Sequence, residues 1–579
     1  MGLLRNVFAA AARIRRIPPA AALIHLEQLL AADPREALLS AQALLARIAA
    51  EQAEVWQPYA PYLASLGSAL ARDGTYLAAG DVLLEMAQRC EGRLHRRLVL
   101  QFLGLDRGSP VDWNLRVAER VLRPWLTRAF ECGKHDEALE LEQDIYSKVT
   151  LMRETEAHFR HCVSLSLEPA RAAGRRLALP RPKSAPAAVP RIAFFVHGAS
   201  MLAHVRMMLG VLQGLAAIRP PPIEPMVYVF YGFSAELDAA LSALQVPTVY
   251  MRREGTSGLR GGYDELLELR KRIEGDRVDA LVWVSVVTMM PFAFAMRIAP
   301  VQIWWAMKYH GVDLPEIDGY LTGAGVSGGF KTIAERRWRV APVGAADWFA
   351  PELAAKARQT RSAFARFRIL FASLAREEKL RDPVFLETVA CILRQVEDCA
   401  FLWTGREPLT DVQRAFETLG VAERCFFIGW VDSRLYAQVI DVFLDSFPAP
   451  CGYTLYESMA AGRPVVLFAS NESEHTGVHA LVGPLLARSD GTPRDWERAQ
   501  AILRPSPGLD LYLRATNVEQ YAAHAVRLAR DDAFRKRAGA ACEQFVAEFM
   551  SDRERMARIY ADHLLAVVAE TAARASVAH

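Results

Sequence analysis

Twice in this chain a rhythm begins in which short, unbroken apolar runs alternate with segments of helical period, once at Arg191 and again at Arg366. RIAFFVHG (191–198), MVYVFY (226–231), VDALVWVS (278–285) and the run from Val301 to Trp305 are too short to span a membrane. They are also too apolar to be half-exposed, so they read as strands buried on both faces. The helix MLAHVRMMLGVLQGLAAI (201–218) joins the first two. After residue 366 the same pattern returns as RFRILFASL, the helix VFLETVACILRQV, CAFLWTG, CFFIGW and DVFLDSF. Strands alternating with helices in this way fold as a parallel, doubly wound sheet. Two such lobes in tandem enclose a cleft between facing strand ends, where α/β proteins hold ligands.

The stretch from Asp445 to His479 has the densest chemistry. An apolar run ends there in an acid and a proline, and the loop residues Gly452, Tyr453 and Thr454 open a helix, LYESMAAG, stopped at Gly462. Backbone N–H groups at such a helix start can hold an anion. RPVVLFA then reads as the next strand, and it ends in a second polar loop rich in Glu and His.

Residues 20–178 differ in kind: Ala- and Leu-rich segments of helical period, with almost no strand-like run and no steady repeat, predict a non-repetitive helical bundle. ALPRPKSAPAAVP (178–190) has the composition of a linker. The expected organisation is therefore α + α/β: an all-α domain (1–178), a linker (179–190), two doubly wound Rossmann-like lobes (191–349 and 350–548) and a C-terminal helix (549–579). The helical domain is expected to stand as a wall beside one end of the cleft.

Composition narrows the function classes. A net charge of +3 over 579 residues does not favour nucleic acid as a partner. The eight cysteines form no C-x-x-C pair, which suggests neither a zinc site nor a disulfide framework and fits a reducing cytoplasm. The opening MGLLRNVFAAAARIRRIPPAAALIH is broken by Arg13, Arg15 and Arg16; it is a poor signal peptide and reads as a basic amphipathic helix. LVWVSVVTMMPFAFAMRIAPVQIWW contains Pro291, Arg297 and Pro300 and reads as strand, helix, strand rather than an integral membrane segment.

Several segments carry a family likeness: HFRHCVSLSLEPARAAGRR (158–176), MRIAPVQIWWAMKYHG (296–311), the loop around Lys379, Cys451 to Gly462, ESEHTGVH (472–479) and LRATNVEQYAAHAVRLA (513–529). In order and spacing they resemble the two-lobed (GT-B) sugar-nucleotide glycosyltransferases, and more narrowly the bacterial cytoplasmic N-glucosyltransferases of adhesins, relatives of the O-GlcNAc transferases. The resemblance implies an inverting enzyme that uses a UDP-sugar without a metal or other cofactor. The acceptor would be Asn or Ser/Thr of a protein such as an adhesin or another surface protein. It also implies that Lys379 grips the diphosphate, with Arg376 able to share that role, and that Gly452, Tyr453 and Thr454 bind it from the helix start. His475 (or Glu472 or Glu474) and Thr516 or Asn517 would face the donor. His204 and His310 are the imidazoles expected on the acceptor side, where a neutral ring can accept a proton.

The residues leave two alternatives open. Glu457 falls where retaining two-lobed transferases carry the second acid of an E-x7-E pair, but the first position is Ala449. The other alternative is a helical adaptor whose transferase fold has lost its chemistry.

Overall fold

The structure, a computed structural model, describes residues 12–72, 74–79, 81–152, 155–182, 188–252, 262–344, 348–406, 408–469 and 477–577. Residues 1–11 of the basic N-terminal segment and the positions Glu472, Glu474 and His475 lie outside them.

Among the described residues from Pro19 to Arg176 every element is a helix, as the periodicity predicts. The last two α-helices of this region are α1 (His135–Lys148) and α2 (Glu156–Arg176). Thr155 starts α2 by accepting the His158 N–H at 3.2 Å, which satisfies one of the amides that a helix start leaves without a partner.

The first lobe is built on β1 (Arg191–Gly198), β2 (Glu224–Tyr231), β3 (Thr248–Arg252), β4 (Ala280–Val284), β5 (Val301–Ala306), β6 (Gly319–Thr322), β7 (Phe330–Ile333) and β8 (Arg336–Val340). Their order in the sheet is β3-β2-β1-β4-β5-β6-β8-β7, and only the β7–β8 pair is antiparallel. Helix α3 (Ala203–Ala217) follows β1, and α4 (Met290–Ala295) lies between β4 and β5. The long apolar stretch is thus divided into strand, helix and strand, as its two prolines and arginine suggest.

The second lobe holds β9 (Ile369–Ser373), β10 (Cys399–Trp403), β11 (Cys425–Phe427), β12 (Val442–Leu444), β13 (Val465–Phe468) and β14 (Arg514–Ala515). They are ordered β11-β10-β9-β12-β13-β14, all parallel. Helix α5 (Tyr453–Ala460) follows β12, α6 (Val518–Arg530) follows β14, and α7 (Asp532–Met550) completes the lobe. In each sheet the strand order reverses once, between β1 and β4 and between β9 and β12. Loops leaving the carboxyl ends of those strand pairs diverge and open a crevice.

The final helix, α8 (Arg553–Val577), is amphipathic as read, but it belongs to the first lobe. It crosses α3 so closely that a Cβ on Gly214 would stand 2.2 Å from the Arg553 carbonyl oxygen, and only glycine permits that approach. Tyr560 packs its ring on Trp305 at 4.8 Å.

The helical domain is fused to the first lobe rather than hung from it. One apolar core runs from the N-terminal helices through α4 and one face of the first sheet. Gly174 of α2 lies against α4 so tightly that an added Cβ would meet the Phe292 carbonyl oxygen at 2.6 Å. Phe130 stacks on Phe292 at 5.5 Å, and the Asp136 carboxylate accepts the Gly262 and Tyr263 N–H groups, each at 2.9 Å. The proline-rich segment is anchored at its near end, where the Arg181 guanidinium donates to the Pro300 carbonyl at 3.0 Å.

Candidate active site

On the second-lobe side the site starts at Asp445, directly after β12. Only 2% of it is exposed, and burial pushes its carboxyl up to about 7, against the pull of the Cys451 N–H and Lys379. Its Oδ1 accepts the Cys451 N–H at 2.6 Å, and its backbone oxygen accepts the Tyr521 hydroxyl at 2.7 Å. These bonds fold the loop back on itself and deliver Gly452 to the start of α5, which no side chain caps.

Two contacts fasten that helix start to the loop after β9. The Thr454 hydroxyl donates to the Leu374 carbonyl at 2.6 Å, and the Lys379 amine donates to the Pro450 carbonyl. Burial lowers the Lys379 pKa and Arg376 pushes the same way, while Cys451, Asp445 and Glu378 oppose them. A cation and the positive end of a helix therefore meet at the point where the second sheet reverses, an arrangement that stabilises phosphate charge.

On the first-lobe side β1 ends at His197 and Gly198. Burial, with neighbouring His204 adding to it, drives the His197 ring down to about 3. His204, in the first turn of α3, keeps part of its surface open, yet desolvation lowers it to about 4, so the ring is neutral at physiological pH. Half a turn further on, Arg206 crosses to the second lobe. Its Nη1 donates to Glu457 Oε1 at 2.6 Å, and its guanidinium lies 4.5 Å from the centre of the Tyr453 ring.

The structure thus brings Lys379, Gly452, Tyr453 and Thr454 together, with His204 on the helix that reaches them. His310 lies apart: it is 1% exposed beneath α2, with Nε2 2.9 Å from the Thr322 hydroxyl and its N–H donating to the Glu156 carboxylate at 2.9 Å. Thr516 and Asn517 sit at the end of β14 and start α6: Asn517 Oδ1 accepts the Gln520 N–H, and the Gln520 side-chain oxygen accepts the Thr516 N–H, both at 2.8 Å. Glu457, fully buried on Arg206, is not open to a substrate.

Three residues escape the sequence reading. Arg206 had a signal, as the only charged residue in the helix AHVRMMLGVLQGLAA. Trp430, just past β11, exposes 57% of its surface, and the Arg406 guanidinium lies 5.5 Å from its ring centre. Arg406 follows β10, so both belong to the row of strand ends that includes Lys379 and α5.

Residues 366–503 match the family model for glycosyl transferases group 1. That stretch is a group 1 glycosyl transferase domain. It contains the Lys379 loop, Trp430 and the start of α5. Over 98% of this chain and 99% of its own, an O-GlcNAc transferase of Thermobaculum terrenum, solved as a point mutant, has a similar fold at 18% identity and a TM-score of 0.53. The Anabaena protein HepE, solved in complex with UDP and glucose, covers 65% of this chain and 100% of its own at 12% identity and a TM-score of 0.46. WaaG, a glycosyltransferase involved in lipopolysaccharide biosynthesis, covers 64% and 98% at 11% identity and a TM-score of 0.41. No curated protein sequence matches this chain at a significant level. The architecture is the GT-B fold preceded by a helical domain, and none of the helices among the described residues is long and apolar enough to cross a membrane.

Proposed function

We propose that this chain is an inverting, metal-independent glycosyltransferase that moves a hexose, glucose in our reading, from a UDP-sugar to an Asn or Ser/Thr side chain of a protein in the cytoplasm. The observation that carries the reading is the meeting of the Lys379 amine with the uncapped start of α5, inside the segment that matches the group 1 transferase model. A departing diphosphate gains negative charge as the sugar leaves. A fixed cation and helix-start amides stabilise that charge more than they stabilise the bound donor, which is the condition for lowering a barrier.

In the transfer, the acceptor nucleophile attacks the anomeric carbon, and the bond from that carbon to the diphosphate oxygen breaks with its electron pair leaving on UDP. The acceptor proton passes to His204, a neutral ring in the first turn of α3. Burial keeps that ring in the neutral form, the form that can accept a proton. Trp430 and Arg406 offer a flat face and a cation for the uracil ring at the same row of strand ends. The protein-acceptor part of the reading rests on the full-length likeness to an O-GlcNAc transferase and on the helical wall fused to the acceptor lobe.

The test is incubation with UDP-glucose, UDP-galactose and UDP-GlcNAc in EDTA, reading UDP release and the mass of candidate acceptor proteins. Turnover with at least one donor is expected. Strict dependence on manganese or magnesium overturns the metal-independent reading, and no heat with millimolar UDP overturns the donor reading.

A further inference from the structure

Among the bonds that join the two lobes, one ends on the helix that starts the candidate diphosphate site. Arg206 leaves the acceptor lobe at the first turn of α3 and meets Glu457, in the middle of α5, at 2.6 Å, with no part of Glu457 exposed to water. The same guanidinium covers the ring of Tyr453, the first residue of α5, at 4.5 Å, and Trp348 packs on that ring at 4.6 Å. Removing two charges from water is expensive, and an apolar pair of equal volume would hold the lobes as well or better. A buried ion pair does what an apolar pair does not: it fixes one register, because only one placement of α3 against α5 satisfies both charges.

The other ends of the α5 entry are held within its own lobe, by Thr454 on Leu374 and by Lys379 on Pro450. Arg206 supplies the restraint from across the cleft, two residues from His204.

We infer that Arg206 is a positioning residue for the transfer step: through Glu457 and Tyr453 it sets the distance between the acceptor-side base and the donor-side phosphate grip. This role rests on the donor reading above. It differs from holding the lobes together in general, for which the molecule has a second bridge: Asp490 of the second lobe accepts the Val326 N–H at 2.9 Å and lies 3.6 Å from the Lys331 amine.

The experiment compares full-length Arg206→Met, Arg206→Lys, the double variant Arg206→Met with Glu457→Gln, and Lys331→Met, measuring kcat, KM, UDP affinity by calorimetry and thermal midpoint. Misplacing reacting groups by about 1 Å costs roughly a hundredfold in rate, so Arg206→Met should lose about that much kcat. UDP, held by the second lobe, should still bind within about threefold of wild type. Arg206→Lys should recover part of kcat. The double variant removes both charges, so its midpoint should return towards wild type while kcat stays low. Lys331→Met should lower the midpoint and keep kcat within about twofold. Wild-type turnover in the double variant overturns the positioning role, as does an equal loss of kcat in Lys331→Met. A wild-type protein that takes up no UDP removes the donor reading instead, and this role falls with it.

Discussion

The Lys379 amine donates to the backbone oxygen of Pro450, three residues before α5 begins, so one cation holds the loop closed and stands at the helix start at once. In the proposed reaction that cation faces the leaving diphosphate. Lys379→Ala should therefore lose roughly 2 to 4 kcal/mol of transition-state stabilisation, about thirty- to a thousandfold in kcat. Steady-state kinetics with the best donor checks this. An unchanged rate would transfer the role to Arg376.

Trp430→Ala should weaken UDP. Stacking of a base on an aromatic ring is worth about 1 to 3 kcal/mol, so the dissociation constant should rise roughly five- to a hundred-and-fiftyfold. The rate at saturating donor should change little, because the ring touches nothing that moves in the transition state. Calorimetry with UDP and with pyrophosphate separates the cases: only UDP should respond to the substitution.

Deleting residues 1–178 should not leave a clean catalytic fragment. The core shared with α4 would be cut open, and the remainder should aggregate because a large apolar face meets water. A milder probe of the same interface is Gly174→Val, which forces a side chain into the Phe292 carbonyl and should cost about 1 to 3 kcal/mol in urea unfolding. A soluble 190–579 fragment with full activity on a protein acceptor would refute the fused arrangement.

Acid should unfold this protein through its buried histidines. Burial holds His197 near 3 and His479 near 4, below the 6.5 of the unfolded ring. Above pH 6.5 both states hold the rings neutral and nothing is lost. As pH falls from 6.5 towards 4, the unfolded chain takes up protons that the folded chain refuses, and stability drops by up to about 3 kcal/mol for a ring such as His479. Urea titrations at pH 7.0, 5.5 and 4.5 should show that decline, and His479→Gln should flatten it.

The lobes were legible because burial on both faces makes strands such as FFV in β1 and FLW in β10 unbroken in apolar character. The loop at Gly452 was legible for a related reason: a polar turn between a buried strand and a short helix has few other uses. What stayed hidden was distance in sequence. Arg206 and Glu457 are 251 residues apart, and nothing near either one announces the other. The resemblance singled out His310, and its backbone N–H is held by Glu156 of α2, a partner that no local pattern names. Thr516 and Asn517 read as polar residues near a donor, and the structure adds that they also start a helix.

The return of α8 to the first lobe means that the chain passes between the lobes twice, after β8 and after α7. The two passages touch: Trp348 on one donates its indole N–H to the Met550 carbonyl on the other at 3.0 Å. A single connection would let the lobes swivel and slide. Two neighbouring connections leave essentially one rotation, so opening and closing retrace the same arc. At one point on that arc α3 stands over α5 with the Arg206–Glu457 bond made, the arrangement this structure holds.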